Sequence, residues 1–534
     1  MTKERTLTLW LPAIIATAIV IGIVAGRYLT RTTTPPGLPN NKISALLHII
    51  DQQYVDPINI DSLSEQALSH ILAQLDPHSV YISAEDVRLA TEDLEGSFSG
   101  IGVSFNMQTD TILIISVISG GPAEKAGLLP FDRIITINDS TFSGNHASQP
   151  HIMRTLRGDK GTTVRLGVQR ASSDTLLLFQ VTRGDVPIHS IEVAFTVAPN
   201  IGYIKVGKFA RNTHPEFITA LARLKKEGCS SFIIDLRGNS GGYMDAAVNL
   251  VNEFLPKDRP IVYTEGKAHP RDNIYSNGTG TCPHDPLAVL TDEASASASE
   301  IFAGAIQDND RGLIFGRRTF GKGLVQAPIS FHDGSEIRLT IARYYTPSGR
   351  SIQKEYTPGQ TDTYEQDLYN RFLHGEFDSA DSIHQNQTLT FQTLAGRLVY
   401  GGGGIMPDIF IPRDTAGFTS YYSDLINTGI LYLYVLDYSD RHHAQLATFP
   451  DPTSLYNHLR SQPLLHELIN FAASKGIRPR PSLIRLSTPL IETQLHAYIV
   501  RNFFNDEGFY PILLKDDPTL HRAIQEITNN LYNR

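Results

Sequence analysis

Three stretches of the 534-residue chain combine residue types and spacings that could do chemistry. The first is Gly238-Asn239-Ser240-Gly241-Gly242, which follows the apolar run Phe232 to Leu236 and precedes a predicted helix. It fits a G-x-S-x-G nucleophile elbow, with Ser240 attacking from a strand-to-helix turn. It fits equally a glycine turn whose free N–H groups bind an anion. A Ser-His-Asp hydrolase also needs a later acid and a histidine, and with 18 histidines in the chain, finding one discriminates nothing. The second stretch is Ser295-Ala296-Ser297-Ala298-Ser299-Glu300. Ser297 and Glu300 have the spacing of a capping box, a purely structural device. The same geometry sets a hydroxyl among unsatisfied N–H groups at the positive end of a helix, where the Ala298 N–H could meet an oxyanion beside Ser297. The third is Thr319-Phe320-Gly321-Lys322-Gly323-Leu324-Val325-Gln326, which lacks the glycine spacing and following Ser/Thr of a P-loop. Lys322 is then either a solvated turn residue or an amine held dry. Desolvation would lower its pKa from about 10.4 toward neutrality and let it take a proton from a serine.

The elements that must position these residues follow from periodicity. Ile201 to Val206, Pro215 to Lys226, Ser231 to Leu236, Met244 to Phe254, Leu287 to Leu290 and Ser297 to Gln307 read as alternating strands and helices, hence a layered α/β core with a largely parallel sheet. Before it, short β-rich runs (Gly102 to Phe105, Thr111 to Ile118, Arg133 to Ile137, Thr163 to Gln169, Thr175 to Val181) suggest a small separate β domain. Earlier still, Ile43, Leu46, Leu47, Ile50 and Tyr54 recur at helical spacing, and a second helix carries Leu63 to Leu75 behind a Ser62-x-x-Glu65 capping box, stopping at Asp76-Pro77. The region after Thr415 has helical texture and no readable motif. The expected division is 1–40 anchor and linker, 41–95 helical, 96–186 β domain, 187–413 α/β core and 414–534 mostly helical, an α/β multidomain protein.

Composition removes several function classes. With 46 basic against 55 acidic side chains the net charge is −9, which disfavours a phosphate-neutralising nucleic-acid binder. Two cysteines, Cys229 and Cys282, and no C-x-x-C or H-E-x-x-H spacing leave no metal or cofactor to expect. Thr6 to Gly26 is uncharged between Lys3, Arg5 and Arg27, Arg31. About 20 such residues suffice to cross a bilayer, so the expectation is an uncleaved single-pass anchor, a Pro-rich linker over Thr32 to Asn40, and a soluble part in the periplasm of the cell envelope.

Six ordered motifs resemble the C-terminal processing peptidases, or tail-specific proteases, which are Ser-Lys endopeptidases with a PDZ domain. They are Leu75-Asp76-Pro77-His78-Ser79-x-Tyr81, Asp235-Leu236-Arg237-x-Asn239-x-Gly241-Gly242, Ser295 to Glu300, Thr319 to Gln326, Tyr344-Tyr-Thr-Pro-Ser-Gly-Arg350 and Gly403-Gly404-Ile405-x-Pro407-Asp408. The resemblance covers roughly residues 43 to 413. It implies Ser297 as nucleophile, Lys322 as base, Gln326 as the residue orienting that base, and the N–H groups of Ala298 and Gly242 as oxyanion hole. The β domain then resembles a PDZ domain with Gly100-Ile101-Gly102-Val103 as its carboxylate-binding loop, a backbone nest beside a strand edge. Two departures stand out: Phe131-Asp132 where the family has Gly-Asp, expected to alter one turn, and Thr291 where Asn is common, expected to affect local packing. The implied partners are proteins or peptides with free C-termini, with self-association through the N-terminal helices and the C-terminal tail. The competing readings are a non-catalytic PDZ scaffold and an α/β hydrolase acting through Ser240.

Overall fold

The computed structural model describes residues 15–25, 41–108, 111–142, 148–170, 173, 175–384 and 386–529. The chain divides into two compact units, the first ending at Leu72. In that first unit the helix Lys42–Gln53 is capped by Asn41, whose Oδ1 accepts from Ile43 N at 2.9 Å. The next helix, Ile60–Ala73, starts earlier than its Ser62-x-x-Glu65 signature suggests: the Asn59 carbonyl oxygen Oδ1 accepts from Ser62 N at 3.0 Å, so Asn59 caps and Ser62 lies inside the helix.

The membrane anchor is not borne out. Of Thr6 to Gly26, residues 15–25 are described, and they are helical. No helix among the described residues is long and apolar enough to cross a membrane, which overturns the anchored, envelope-bound location. The remainder of that stretch and the linker over Thr32 to Asn40 lie outside the described residues.

In the second unit, the alternating pattern folds as read. A six-stranded sheet runs in the order Ile191–Ala198, Ile201–Val206, Ser231–Asp235, Leu287–Thr291, Leu313–Gly316, Ile409–Phe410, antiparallel at the first pair and parallel thereafter. Its central strands are buried on both sides, which is why they read as continuous apolar runs. The helices Thr213–Lys226, Met244–Asn252 and Ala298–Asp308 share one core with it, including Phe217, Leu250, Phe254 and Phe302. The other face is covered from the far end of the chain. Leu520, Ala523 and Ile527 of the helix Pro518–Thr528 pack on Tyr203, Ile233, Leu290 and Phe315.

A second, antiparallel five-stranded sheet joins Val80–Ile82, Glu336–Tyr345, Pro260–Glu265, Asp272–Tyr275 and Leu324–Ser330. The β-rich segment forms its own six-stranded sheet from Val103–Gln108, Thr111–Val117, Arg133–Ile137, Ser140–Thr141, Thr163–Gln169 and Leu177–Thr182, with helices Pro122–Ala126 and Gln149–Leu156 and a separate apolar core. The tail that carried no readable motif is a helical bundle with its own core, built on Tyr421, Leu425, Leu431, Val435, Leu455, Leu468 and Leu495. Its long helix Pro481–Leu513 is kinked at Phe504 and Asn505.

Candidate active site

The loop after strand Ser231–Asp235 is built by buried polar groups. Asp235 accepts from Tyr203 Oη at 2.7 Å and from the Arg237 guanidinium, which also reaches Asp517 at 2.7 Å. Burial alone would raise the Asp235 carboxyl, but Arg237 and Lys205 outweigh it and hold it at about 2. Asn239 is fully buried: its Nδ2 donates to Val206 O, its Oδ1 accepts from Gly241 N, and its carbonyl accepts from Ala296 N at 3.0 Å and Ser299 Oγ at 2.9 Å. One asparagine therefore ties the glycine loop to the serine run. The approach leaves no room for a side chain, since a Cβ on Gly241 would sit 2.8 Å from Ser297 Cβ and one on Gly242 2.0 Å from Phe209 O. Ser240, the candidate of the elbow reading, is exposed, and no hydrogen bond joins it to a histidine among the described residues.

Ser297 caps the helix Ala298–Asp308, every residue of which is buried. Its φ of 55° lies in a region a non-glycine residue occupies at a cost of about 1–3 kcal/mol, a strain that recurs at functional sites. The capping spacing is real, with Ser297 N donating to Glu300 Oε2 at 2.8 Å. Among the described residues the N–H groups of Ala298 and Gly242 have no acceptor, so both donors stand free.

Glu300 does more than cap. Its Oε1 accepts from Thr319 Oγ1 at 2.5 Å and Gly321 N at 2.8 Å, and its Oε2 accepts from Lys322 N at 2.8 Å as well as from Ser297 N. Burial pushes this carboxyl up to about 7, opposed by those donors. Because every partner donates, the ionised form is the one the cage satisfies. Tyr344 makes a second clasp, the single proton of its hydroxyl shared between the carbonyls of Ser297, at 3.1 Å, and Lys322. Backbone contacts thus bring the residues of the second and third motifs together, while no hydrogen bond joins Ser297 Oγ to Lys322 Nζ among the described residues. The Lys322 amine is held below its usual range by burial, against the opposing pull of Glu300 and Asp76. His78 beside it is pushed down to about 4, first by burial and then by the Lys322 charge.

The remaining motifs buttress these groups. Thr319 Oγ1 accepts from Ile405 N at 2.7 Å. Arg350, fully buried, reaches Asp308 Oδ1 and Gln307 Oε1 at 2.7 Å, placing a cation at the C-terminal end of the serine helix. Gln326 does not bond Lys322; its Nε2 donates to Thr340 Oγ1 at 3.3 Å. Thr291 Oγ1 donates to Arg317 O at 3.1 Å. Cys229 and Cys282 are both buried and free.

The Gly100 to Val103 loop lies far from this cluster in sequence and in a different sheet. Gly102, at φ 81°, and Ile101 open on a cavity of about 210 Å³ between the strand Val103–Gln108 and the helix Gln149–Leu156, lined by Phe98, Val103, Phe105, Met153 and Leu156. Sequence reasoning missed Thr340, which sits in an ordinary alternating strand, and saw Glu300 only as a cap and Tyr344 only as part of a motif.

Residues 200–364 match the model of peptidase family S41, residues 99–181 that of the PDZ domain, and residues 421–505 a family of unknown function, DUF8443. The carboxy-terminal processing protease CtpB of Bacillus subtilis is 34% identical over 318 residues, 59% of this chain and 66% of that protein. A probable CtpA-like serine protease of Staphylococcus haemolyticus is 34% identical over 313 residues, covering 58% of this chain and 62% of its own length. The matches therefore span just under two thirds of these relatives. A photosystem II D1 C-terminal processing protease structure is 29% identical, with 58% of this chain and 84% of that one covered at a TM-score of 0.34. The family resemblance read from the six motifs is borne out by the matched segments, which contain Gly242, Ser297, Ala298, Lys322 and Gln326 on one side and Gly100 to Val103 on the other.

Proposed function

We propose, for a chain that carries a peptidase family S41 segment and a PDZ domain, that it is a serine endopeptidase using Ser297 and Lys322 as a dyad. Neutral Lys322 takes the Ser297 proton, the alkoxide attacks a peptide carbonyl, and the Ala298 and Gly242 N–H groups hold the oxyanion. The protonated lysine then hands its proton to the leaving amine, and water resolves the acyl-enzyme. The observation that carries this reading is the Glu300 clasp, one carboxylate accepting from the N–H of both Ser297 and Lys322 at 2.8 Å. The Oγ to Nζ hydrogen bond forms when substrate arrives, as is common for catalytic bonds that are loose in the free enzyme.

Substrate choice belongs to the PDZ loop. Ile101 and Gly102 offer N–H groups to a terminal carboxylate, and the apolar cavity beside them takes the last side chain of a protein or peptide. Self-association fits the same reading and is supported by exposed Ile43, Leu46 and Ile49 on the helix Lys42–Gln53. The absence, among the described residues, of a hydrogen bond from Ser240 to any histidine disfavours the elbow alternative, and the intact serine, lysine and oxyanion donors disfavour a scaffold without activity. Casein cleavage by the full chain tests the dyad: it is lost in Ser297→Ala and in Lys322→Arg, because guanidinium keeps its proton. Normal turnover by Lys322→Arg contradicts the scheme.

A further inference from the structure

Gln326 is the residue the dyad reading asks to orient the base, yet its only side-chain hydrogen bond among the described residues runs the other way, to Thr340. That bond is the end of a chain. Asp76 Oδ1 accepts from Thr340 Oγ1 at 2.9 Å, from His78 N at 2.9 Å and from Ser79 N at 3.0 Å, and its Oδ2 accepts from Ser79 Oγ at 2.6 Å. Ser79 Oγ in turn accepts from Thr340 N at 3.1 Å. The register Tyr81↔Ile337 of the strand Val80–Ile82 on Glu336–Tyr345 sets the turn and Thr340 side by side.

We propose that Asp76 and Thr340 are positioning residues that fix which end of the Gln326 amide faces the base. The inference rests on the Ser297–Lys322 reading above. A carboxylate only accepts, so the single proton of the Thr340 hydroxyl is committed to Asp76. Thr340 Oγ1 can then only accept from Gln326, which must turn its NH₂ toward it and leave its carbonyl oxygen over. A carbonyl is the useful end, because a neutral lysine amine that donates one N–H to it has its lone pair oriented for the serine hydroxyl. The opposite amide orientation would set the Gln326 carbonyl oxygen against the lone pairs of Thr340 Oγ1, acceptor to acceptor. With asparagine at position 76 the His78 and Ser79 N–H groups hold the amide oxygen at the Oδ1 place, so Thr340 keeps its acceptor while the negative charge is lost.

The charged and titratable groups facing Lys322 are Glu300 from the serine helix, Asp76 and His78 from the turn, and Arg338 from the neighbouring strand. Asp76 is thus also one of the two negative charges that raise the lysine against its burial. Removing that charge favours the neutral amine at lower pH.

The test is steady-state cleavage of labelled casein across pH by the full chain. Thr340→Val, which keeps the shape and loses the hydroxyl, is expected to lower kcat about tenfold or more with KM changed less than about twofold. Thr340→Ser is expected to recover most of that loss, and Asp76→Asn to move the acid limb of kcat/KM to lower pH. Wild-type kcat in Thr340→Val, a Thr340→Ser variant as slow as Thr340→Val, or an unmoved limb in Asp76→Asn overturns the inference. If Asp76→Asn fails to fold, the threonine pair decides alone. Casein cleavage persisting in Ser297→Ala would instead sink the dyad reading itself.

Discussion

Ser297 and Lys322 stand on opposite kinds of scaffold. The serine caps a helix that is buried along its whole length, on the parallel sheet, with its flanking loop stitched by one buried asparagine. The lysine follows Gly321, at φ 91°, and leads into a strand of the antiparallel sheet that is buried at Leu324 and exposed from Pro328 onward. Its neighbours come from three separate segments, at Asp76 and His78, at Glu300, and at Arg338. The proposed nucleophile is therefore set by one buried element, whereas the proposed base is set by tertiary assembly. The two halves meet through the backbone, at Glu300 and Tyr344, rather than through their own side chains.

Perturbing each half in turn sharpens this contrast. The largest effect is expected at the proposed base, where Lys322→Arg should lower casein turnover by about 10⁴-fold, the upper range for removing a general base. In the intact protein the acid limb of kcat/KM should fall below the ordinary lysine value of about 10.4, because burial depresses Lys322 and activity rises with pH as the amine loses its proton. A limb at that ordinary value would mean the amine is solvated. Next, Glu300→Ala should cut kcat about 10²-fold by releasing both residues at once, and lower stability by about 3 kcal/mol through the donors left buried without an acceptor. Chemical denaturation and kinetics on one preparation check both parts; wild-type kcat would show that the clasp is ornamental. Tyr344→Phe removes only the second clasp and should cost about 1 kcal/mol of stability and roughly tenfold in kcat. Smallest on chemistry is Phe131→Ala, far from both halves. It should leave kcat within about twofold while speeding hydrogen exchange in the PDZ strands, since Phe131 packs on His443, Phe503 and Leu436 of the C-terminal bundle.

The legibility of the chain follows the same division. The parallel core was readable because each strand and helix is a local pattern, and the observed elements fall within a few residues of the expected ones. The serine run and the lysine loop were readable as motifs. What could not be read was long-range: Thr340 gains its role only because a turn some 264 residues away in sequence lies beside it. Likewise Pro518–Thr528 is an unremarkable amphipathic helix until the sheet face it covers is known. Phe131 shows the limit of reading a departure locally. Its position, at φ 68°, suits glycine, and the aromatic ring there serves a contact with the C-terminal bundle, reinforced by Arg133 to Asp440 at 2.7 Å. The anchor failed for a different reason, since composition can nominate a membrane-length stretch without its forming a helix long and apolar enough to cross one among the described residues.

The most direct test of the central claim, a serine activated by a neutral lysine, is reaction of the full chain with a fluorophosphonate followed by intact-mass and peptide mapping. The account predicts a single adduct on Ser297, abolished in Ser297→Ala and severely slowed in Lys322→Arg. An adduct on Ser240, or undiminished labelling of Ser297 in Lys322→Arg, would contradict it.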